Sequence, residues 1–187
     1  MRLRLTAALM MLCVLFSSCS AAENGVKDAL SFRSALAKHG GCTYTARITT
    51  SIAAREYSFT LSCRSTDMAS RIEVTEPDTI AGVMATVTET DSCIEFDGIS
   101  LEFGKLDDAL RSPLYAPTVF AKGWFEGYID GVYEEGDALW VTYRIGYDEE
   151  ELLLKTRMLG GTPAECELYR GEQLLLFAAV EDFTFLT

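Results

Sequence analysis

From Gly41 onward, apolar and polar residues alternate with a period of two through one short segment after another. In "YTARITTSI" (44–52), Tyr44, Ala46, Ile48 and Ile52 fall on one face, with Thr45, Arg47, Thr49 and Ser51 on the other. That is the pattern of a half-buried strand. "YSFTLSC" (57–63) repeats it with Tyr57, Phe59, Leu61 and Cys63, and a four-residue turn, Ala53 to Glu56, pairs the two segments. In "CIEFDGISLEF" (93–103) an Asp97-Gly98 turn sets Phe96 opposite Ile99 and Ile94 opposite Leu101. Ile94, Phe96, Ile99, Leu101 and Phe103 then share one face, so register and pattern agree.

The same logic predicts that "LWVTYRIGY" (139–147) turns through Asp148 to Glu151 into "LLLKTRM" (152–158). Ile145 then faces Leu154, and Val141 faces Met158. "AECELY" (164–169) turns at Arg170-Gly171 into "QLLLFAAV" (173–180). Alternation fails in two places. "AAENGVKDALSFRSALAKHGG" (21–41) reads as a tether followed by one helix, capped by Asn24 and ended by Gly40-Gly41, with Val26, Leu30 and Ala37, together with Ala29 and Phe32, as its apolar stripe. His39, the only histidine, falls at its end as a C-terminal cation near exposed carbonyls. Between the hairpins, "SPLYAPTVFAKGWFEGY" (112–128) predicts a loop and a helix starting near Pro117, apolar at Val119, Phe120, Trp124 and Phe125. The sum is about eleven short antiparallel strands with one leading helix and one or two central ones, a mainly β, α+β chain.

The first residues follow another pattern. Arg2 and Arg4 precede an apolar run from Leu5 to Phe16, about the length of a secretory leader and short for a membrane span. Leu15-Phe16-Ser17-Ser18-Cys19 resembles a bacterial lipobox, with Phe16 where the pattern prefers Leu. That resemblance implies cleavage before Cys19 and diacylation of its thiol. Cleavage after Ala22, releasing a secreted protein, is the alternative. The expected organisation is a signal peptide over 1–18, a lipidated tether over 19–25 and one domain over 26–187.

Charge narrows the partners. The chain of 187 residues carries a net charge of −12, and losing Arg2 and Arg4 with the leader makes the remainder more acidic. Such a surface repels nucleic-acid phosphate and anionic headgroups. Chemistry is sparse too. There is no G-x-S-x-G, C-x-x-C, H-E-x-x-H, phosphate loop or dinucleotide fingerprint, so neither an enzyme nor a cofactor is expected. Cys42, Cys63, Cys93 and Cys166 form an even set, which in an exported protein raises the question of disulfides. Cys63 and Cys166 sit at apolar positions of alternating strands, which favours small buried hydrophobes.

"EPDTIAGVMATV" (76–87) has a strand ending at Pro77, a short "IAG" turn and a new strand from Val83. It is followed by the Asp97-Gly98 hairpin, "SPLYAP" (112–117), "TPAECELY" (162–169) and a last strand closing on "DFTF" (182–185). This order, over about residues 42–187, resembles small lipoproteins of the LolA-like superfamily. These are related in fold to outer-membrane lipoprotein carriers and mycobacterial lipid-carrier lipoproteins. The resemblance implies a strongly curved antiparallel sheet, an incomplete barrel, with helices on its concave face and an apolar cavity between. Carriers of that kind hold acyl chains, although the soluble outer-membrane carrier lacks a lipid anchor of its own.

Two functions follow as expectations. One is a membrane-anchored extracytoplasmic lipoprotein that binds a lipid or other hydrophobic ligand. Its candidate lining on the strands is Tyr44, Ile48, Phe59, Leu61, Ile72, Val74, Phe96 and Leu101, and on the central helix Phe120 and Trp124. The other is a structural or interaction lipoprotein of the cell envelope, with a packed core and a protein partner.

Overall fold

The computed structural model describes residues 24–52, 55–88, 90–104, 112–147 and 151–187. The leader, Cys19, most of the expected tether and two turn centres lie outside them. Eleven strands form one antiparallel sheet in the order β6-β5-β4-β3-β2-β1-β11-β10-β9-β8-β7. The first meander comprises β1 (Cys42–Ile52), β2 (Arg55–Ser65), β3 (Ala69–Glu76), β4 (Met84–Thr88), β5 (Ser92–Phe96) and β6 (Ile99–Phe103). The second comprises β7 (Tyr128–Glu135), β8 (Ala138–Ile145), β9 (Leu152–Leu159), β10 (Thr162–Arg170) and β11 (Gln173–Phe185). Pairing of β1 with β11 joins the two, and among the described residues β6 and β7 are left as unpaired edges, so the barrel stays open.

Two helices cover one face. Helix α1 spans 24–39 and α2 spans Ala116–Glu126, with Pro117 in its first turn. The main contacts of α2 are with β2, β3 and β8. β3 and β8 are six strand spacings apart in the sheet, about 29 Å if it were flat. One helix about 10 Å across touches both, so the sheet curls around it.

The β5–β6 hairpin forms in the expected register, with Phe96 opposite Ile99 and Ile94 opposite Leu101. Two other hairpins are tighter or looser than the alternation indicates. β1 runs to Ile52 and pairs it with Arg55, so Thr50 rather than Ile52 faces Tyr57, across two connecting residues instead of four. Gly146, at φ 81°, takes the chain off β8 early, so Ile145 faces Leu152 and Val141 faces Thr156. Both shifts are by two residues. An even slip leaves every side chain on its own face, so the hydrophobic pattern alone cannot detect it.

Helix α1 also differs from its expected stripe. Its buried face is Gly25, Ala29, Phe32 and Leu36, whereas Val26, Leu30 and Ala37 face solvent. Gly41 ends the helix for a steric reason. Its φ is 142°, and a Cβ there would lie 2.3 Å from the Ser65 carbonyl oxygen. His39 lies beside the last strand, its Nδ1–H directed at the Leu186 carbonyl (2.9 Å) and its ring stacked on Phe185.

Candidate functional site

Beneath the two helices, aromatic and aliphatic side chains pack against one another. Trp124 of α2 is fully buried and donates Nε1–H to Thr156 Oγ1 on β9 at 3.1 Å. Tyr44, Phe32 and Phe183 surround its ring with centroids at 5.5, 6.2 and 6.0 Å, largely edge to face. Ile48, Leu61, Ile72, Val74 and Phe120 are buried in the same cluster, and Phe59 packs half-buried at its margin. α2 settles closely on the sheet because Gly123 has no side chain, and a Cβ there would lie 2.6 Å from Leu154 Cδ2.

Arg33 joins the helices. Its Nε donates to the Trp124 carbonyl at 3.0 Å and Nη2 to the carbonyls of Gly123 (3.3 Å) and Gly127 (2.5 Å). A guanidinium is thereby placed on carbonyls at the C-terminal end of α2, where the helix dipole favours a cation. The group also sits 5.7 Å from the ring centre of Tyr143.

The sheet extends beyond this cover. Following the register along one row, Tyr44, Cys63, Ile72, Ala85, Ile94 and Leu101 are successive cross-strand neighbours on the concave face. The first four are buried, Ile94 is half-buried, and Leu101 is 56% exposed. Phe96, Ile99 and Phe103, on the same face of the hairpin, are 49%, 65% and 43% exposed. An apolar surface therefore runs without a break from the packed interior onto an open shelf at the β6 edge. Of the ten expected lining residues, Phe96 and Leu101 lie on this shelf. The other eight are on or within the packed cluster. Ile99 and Phe103 belong with the first two.

The sequence reading missed Arg33, Phe183 and Phe185. The two phenylalanines reach the interior because Asp182, at φ 53°, inserts a bulge into β11 between the partners of Thr43 and Thr45. Inward positions change there from even (Ala178, Val180) to odd. An acidic residue before "FTF" is the only sequence sign of it. Arg33 carried a weaker sign, as the one arginine within the α1 segment.

Reactive chemistry is muted. Cys42, Cys63 and Cys166 are buried free thiols, and Cys93 is half-exposed. Desolvation pushes Cys42 and Cys166 up to about 12 and Cys63 well above its ordinary value. Such thiols are poor nucleophiles and poor metal ligands. Among the described residues no group of His, Cys, Asp or Glu is placed to hold a metal ion. No helix among them is long and apolar enough to cross a membrane. What this face offers a ligand is apolar area beside a rigid interior.

No protein-family model matches the chain, and no curated protein matches it. Solved structures do. A LolA superfamily protein from Nitrosomonas europaea superposes with a TM-score of 0.50 at 12% identity, over 85% of this chain and 94% of that one. A DUF1329 family protein from Desulfovibrio piger gives 0.49 at 8% identity, over 88% and 93% of the two chains. The Mycobacterium tuberculosis lipoprotein LppX gives 0.40 at 10% identity, over 86% and 93%. The first match, together with the open eleven-stranded sheet and its two covering helices, establishes a LolA-like fold.

Proposed function

We propose that this protein is an extracytoplasmic lipoprotein, anchored to the cell membrane through acylated Cys19, that holds a lipid or other apolar ligand on its concave face. It has no enzymatic role in this reading. The carrying observation is the shelf of Ile94, Phe96, Ile99, Leu101 and Phe103, continuous with the interior and left open by the helices. Isolated surface apolar residues need no explanation, but a contiguous set on the inner face of a curved sheet marks a surface that binds something. The ligand lies on the β5–β6 side of the concave face, because Trp124 and its aromatic neighbours occupy the space under α2.

The test is mass spectrometry of the protein extracted from its native membrane, compared with an Ile99→Ser/Leu101→Ser variant. A lipid should accompany the wild type and be lost from the variant, with thermal stability unchanged. The packed interior favours one other reading, a structural lipoprotein whose shelf buries against a protein partner. Wild-type protein that carries no lipid and binds no fluorescent fatty acid saturably would put that reading in its place.

A further inference from the structure

The opposite, convex face carries a second feature. A cleft of about 470 Å³ opens there over β11, β1, β2, β3 and β4. Thr43, Thr45 and Ser62 give it a floor of short hydroxyl side chains. Arg64, Arg71, Glu73, Met84 and Asp182 form its walls. Those on β1 to β4 alternate with the buried Tyr44, Cys63, Ile72 and Ala85, which fixes them on the outer surface, and Asp182 is exposed at the bulge in β11.

Arg64 and Arg71 are direct cross-strand partners. Like charges directly opposite each other destabilise a sheet, and this chain has 28 acidic residues against 16 basic ones with which to avoid the clash. Elsewhere it does so: Arg157 faces Glu165 across β9 and β10 at 2.9 Å, Arg144 meets Asp130, and Arg47 meets Glu181 at 3.9 Å. Neither Arg64 nor Arg71 has an ion pair or hydrogen-bond partner among the described residues, although Glu73 and Asp182 line the same cleft. Two guanidinium forks therefore flank an open space floored by hydroxyl groups. That donor set matches a tetrahedral oxyanion, which takes paired N–H donors from arginine and O–H donors from serine or threonine.

We infer that this convex cleft binds a single phosphoryl group, held between Arg64 and Arg71 over Ser62 and Thr45. The carboxylates restrict the ligand. Glu73 stands on β3, two residues from Arg71 and directly opposite Ser62, and Asp182 stands on β11, three spacings or about 14 Å from β3. They repel further negative charge along β3 and towards β11, which leaves room for one charged group beside the arginine pair. The site is separate from the apolar shelf, so either can exist without the other.

The experiment is isothermal titration of the full-length protein in non-ionic detergent with inorganic phosphate and, separately, with dihexanoyl phosphatidic acid below its micellar concentration. Saturable binding is expected, weakening with added salt. Arg64→Gln and Arg71→Gln should each weaken it by about tenfold or more. Both variants should melt no lower than the wild type, since each removes a like-charge contact. Equal affinity for the two probes identifies free phosphate as the ligand. Tighter binding of the phospholipid that keeps its arginine dependence, and that survives Leu101→Ser, identifies a lipid headgroup. Absence of saturable binding by either probe, or binding indifferent to both arginine substitutions, overturns the inference.

Discussion

Arg33 on α1 donates its Nε–H to the main-chain carbonyl of Trp124 on α2 at 3.0 Å, across 91 residues of sequence. With its further bonds to Gly123 and Gly127, one side chain ends the second helix and ties it to the first. Three carbonyl acceptors in different directions suit a planar fork and do not suit a point charge. The tie lies beside the packed half of the concave face, where Phe32 and Trp124 meet across the same helix pair.

Replacing Arg33 with Met, which keeps the apolar stem, should cost about 2–3 kcal/mol, the range of hydrogen bonds to a charged group with little additivity. Arg33→Lys should recover only a minor part. Urea melts followed by tryptophan fluorescence check this, with a lower midpoint and an unchanged slope. A stability loss below about 0.5 kcal/mol would show that the helices hold together without it.

Trp124 and Leu101 separate the packed and open halves of the concave face. Trp124→Ala should cost about 3–5 kcal/mol, through lost burial and a void ringed by Tyr44, Phe32 and Phe183. Leu101→Ala removes a side chain that is 56% exposed and should stay within about 0.5 kcal/mol. Thermal melts give both values. Leu101→Ala should still weaken binding of a fluorescent fatty acid, whereas loss of stability comparable to that of Trp124→Ala would place Leu101 in the core and remove the shelf.

Much of this division was legible in the residues, and its failures have identifiable causes. The Asp97-Gly98 hairpin could be read to the residue because a two-residue turn admits one register. The β1–β2 and β8–β9 pairings could not, because a slip of two keeps the same faces and only backbone geometry at Gly146 or the connecting residues fixes the count. The α1 stripe was misplaced because Val26 and Leu30 are as apolar as Leu36, and their orientation depends on what the helix packs against. The open shelf was hidden for the same reason. Alternation reports that Phe96 and Leu101 share a face with Ile72, but it carries no information about how far a helix reaches along that face.

The N-terminus supplies a test of anchoring. Cys19→Ala should release the protein from membranes or leave a precursor of unprocessed length, scored by fractionation and mass. A variant that sediments with membranes at its mature length would exclude a lipid on Cys19.

The thiols predict both reactivity and pH dependence. At neutral pH one domain thiol, Cys93, should react promptly with a disulfide reagent, while Cys42, Cys63 and Cys166 react only on unfolding. All four should alkylate in denaturant without reductant; two protected pairs would establish disulfides instead. In the folded state Cys42 is raised from 9.0 to about 12, so above pH 9 the unfolded chain releases protons that the folded one retains. Stability is therefore intact below the ordinary thiol value and falls as pH rises from about 9 to about 12. Each buried thiol adds a slope of about 1.4 kcal/mol per pH unit once its unfolded form is ionised. Replacing Cys42 with Ala should flatten that decline.

The bulge at Asp182 gives the sharpest test of how the aromatic interior is built. With Asp182 in place, Phe183 and Phe185 face inward, and Phe183 lies 6.2 Å from the Tyr44 ring and 6.0 Å from that of Trp124. Deleting the residue makes the strand alternate regularly after Val180, with Glu181 outward and both phenylalanines still inward. The deletion should therefore cost well below one Phe→Ala change, about 3–5 kcal/mol, and leave the domain folded. Asp182→Gly is the control. Its positive φ is disfavoured for residues with a Cβ, and glycine removes that strain while loosening the unfolded chain, so the net change should be within about 1 kcal/mol. Near-ultraviolet circular dichroism reads the aromatic packing directly. The signal should persist both in Asp182→Gly and on deletion. A deletion variant that loses the signal would mean that the bulge itself, and not only the parity of β11, holds the phenylalanines against Tyr44 and Trp124.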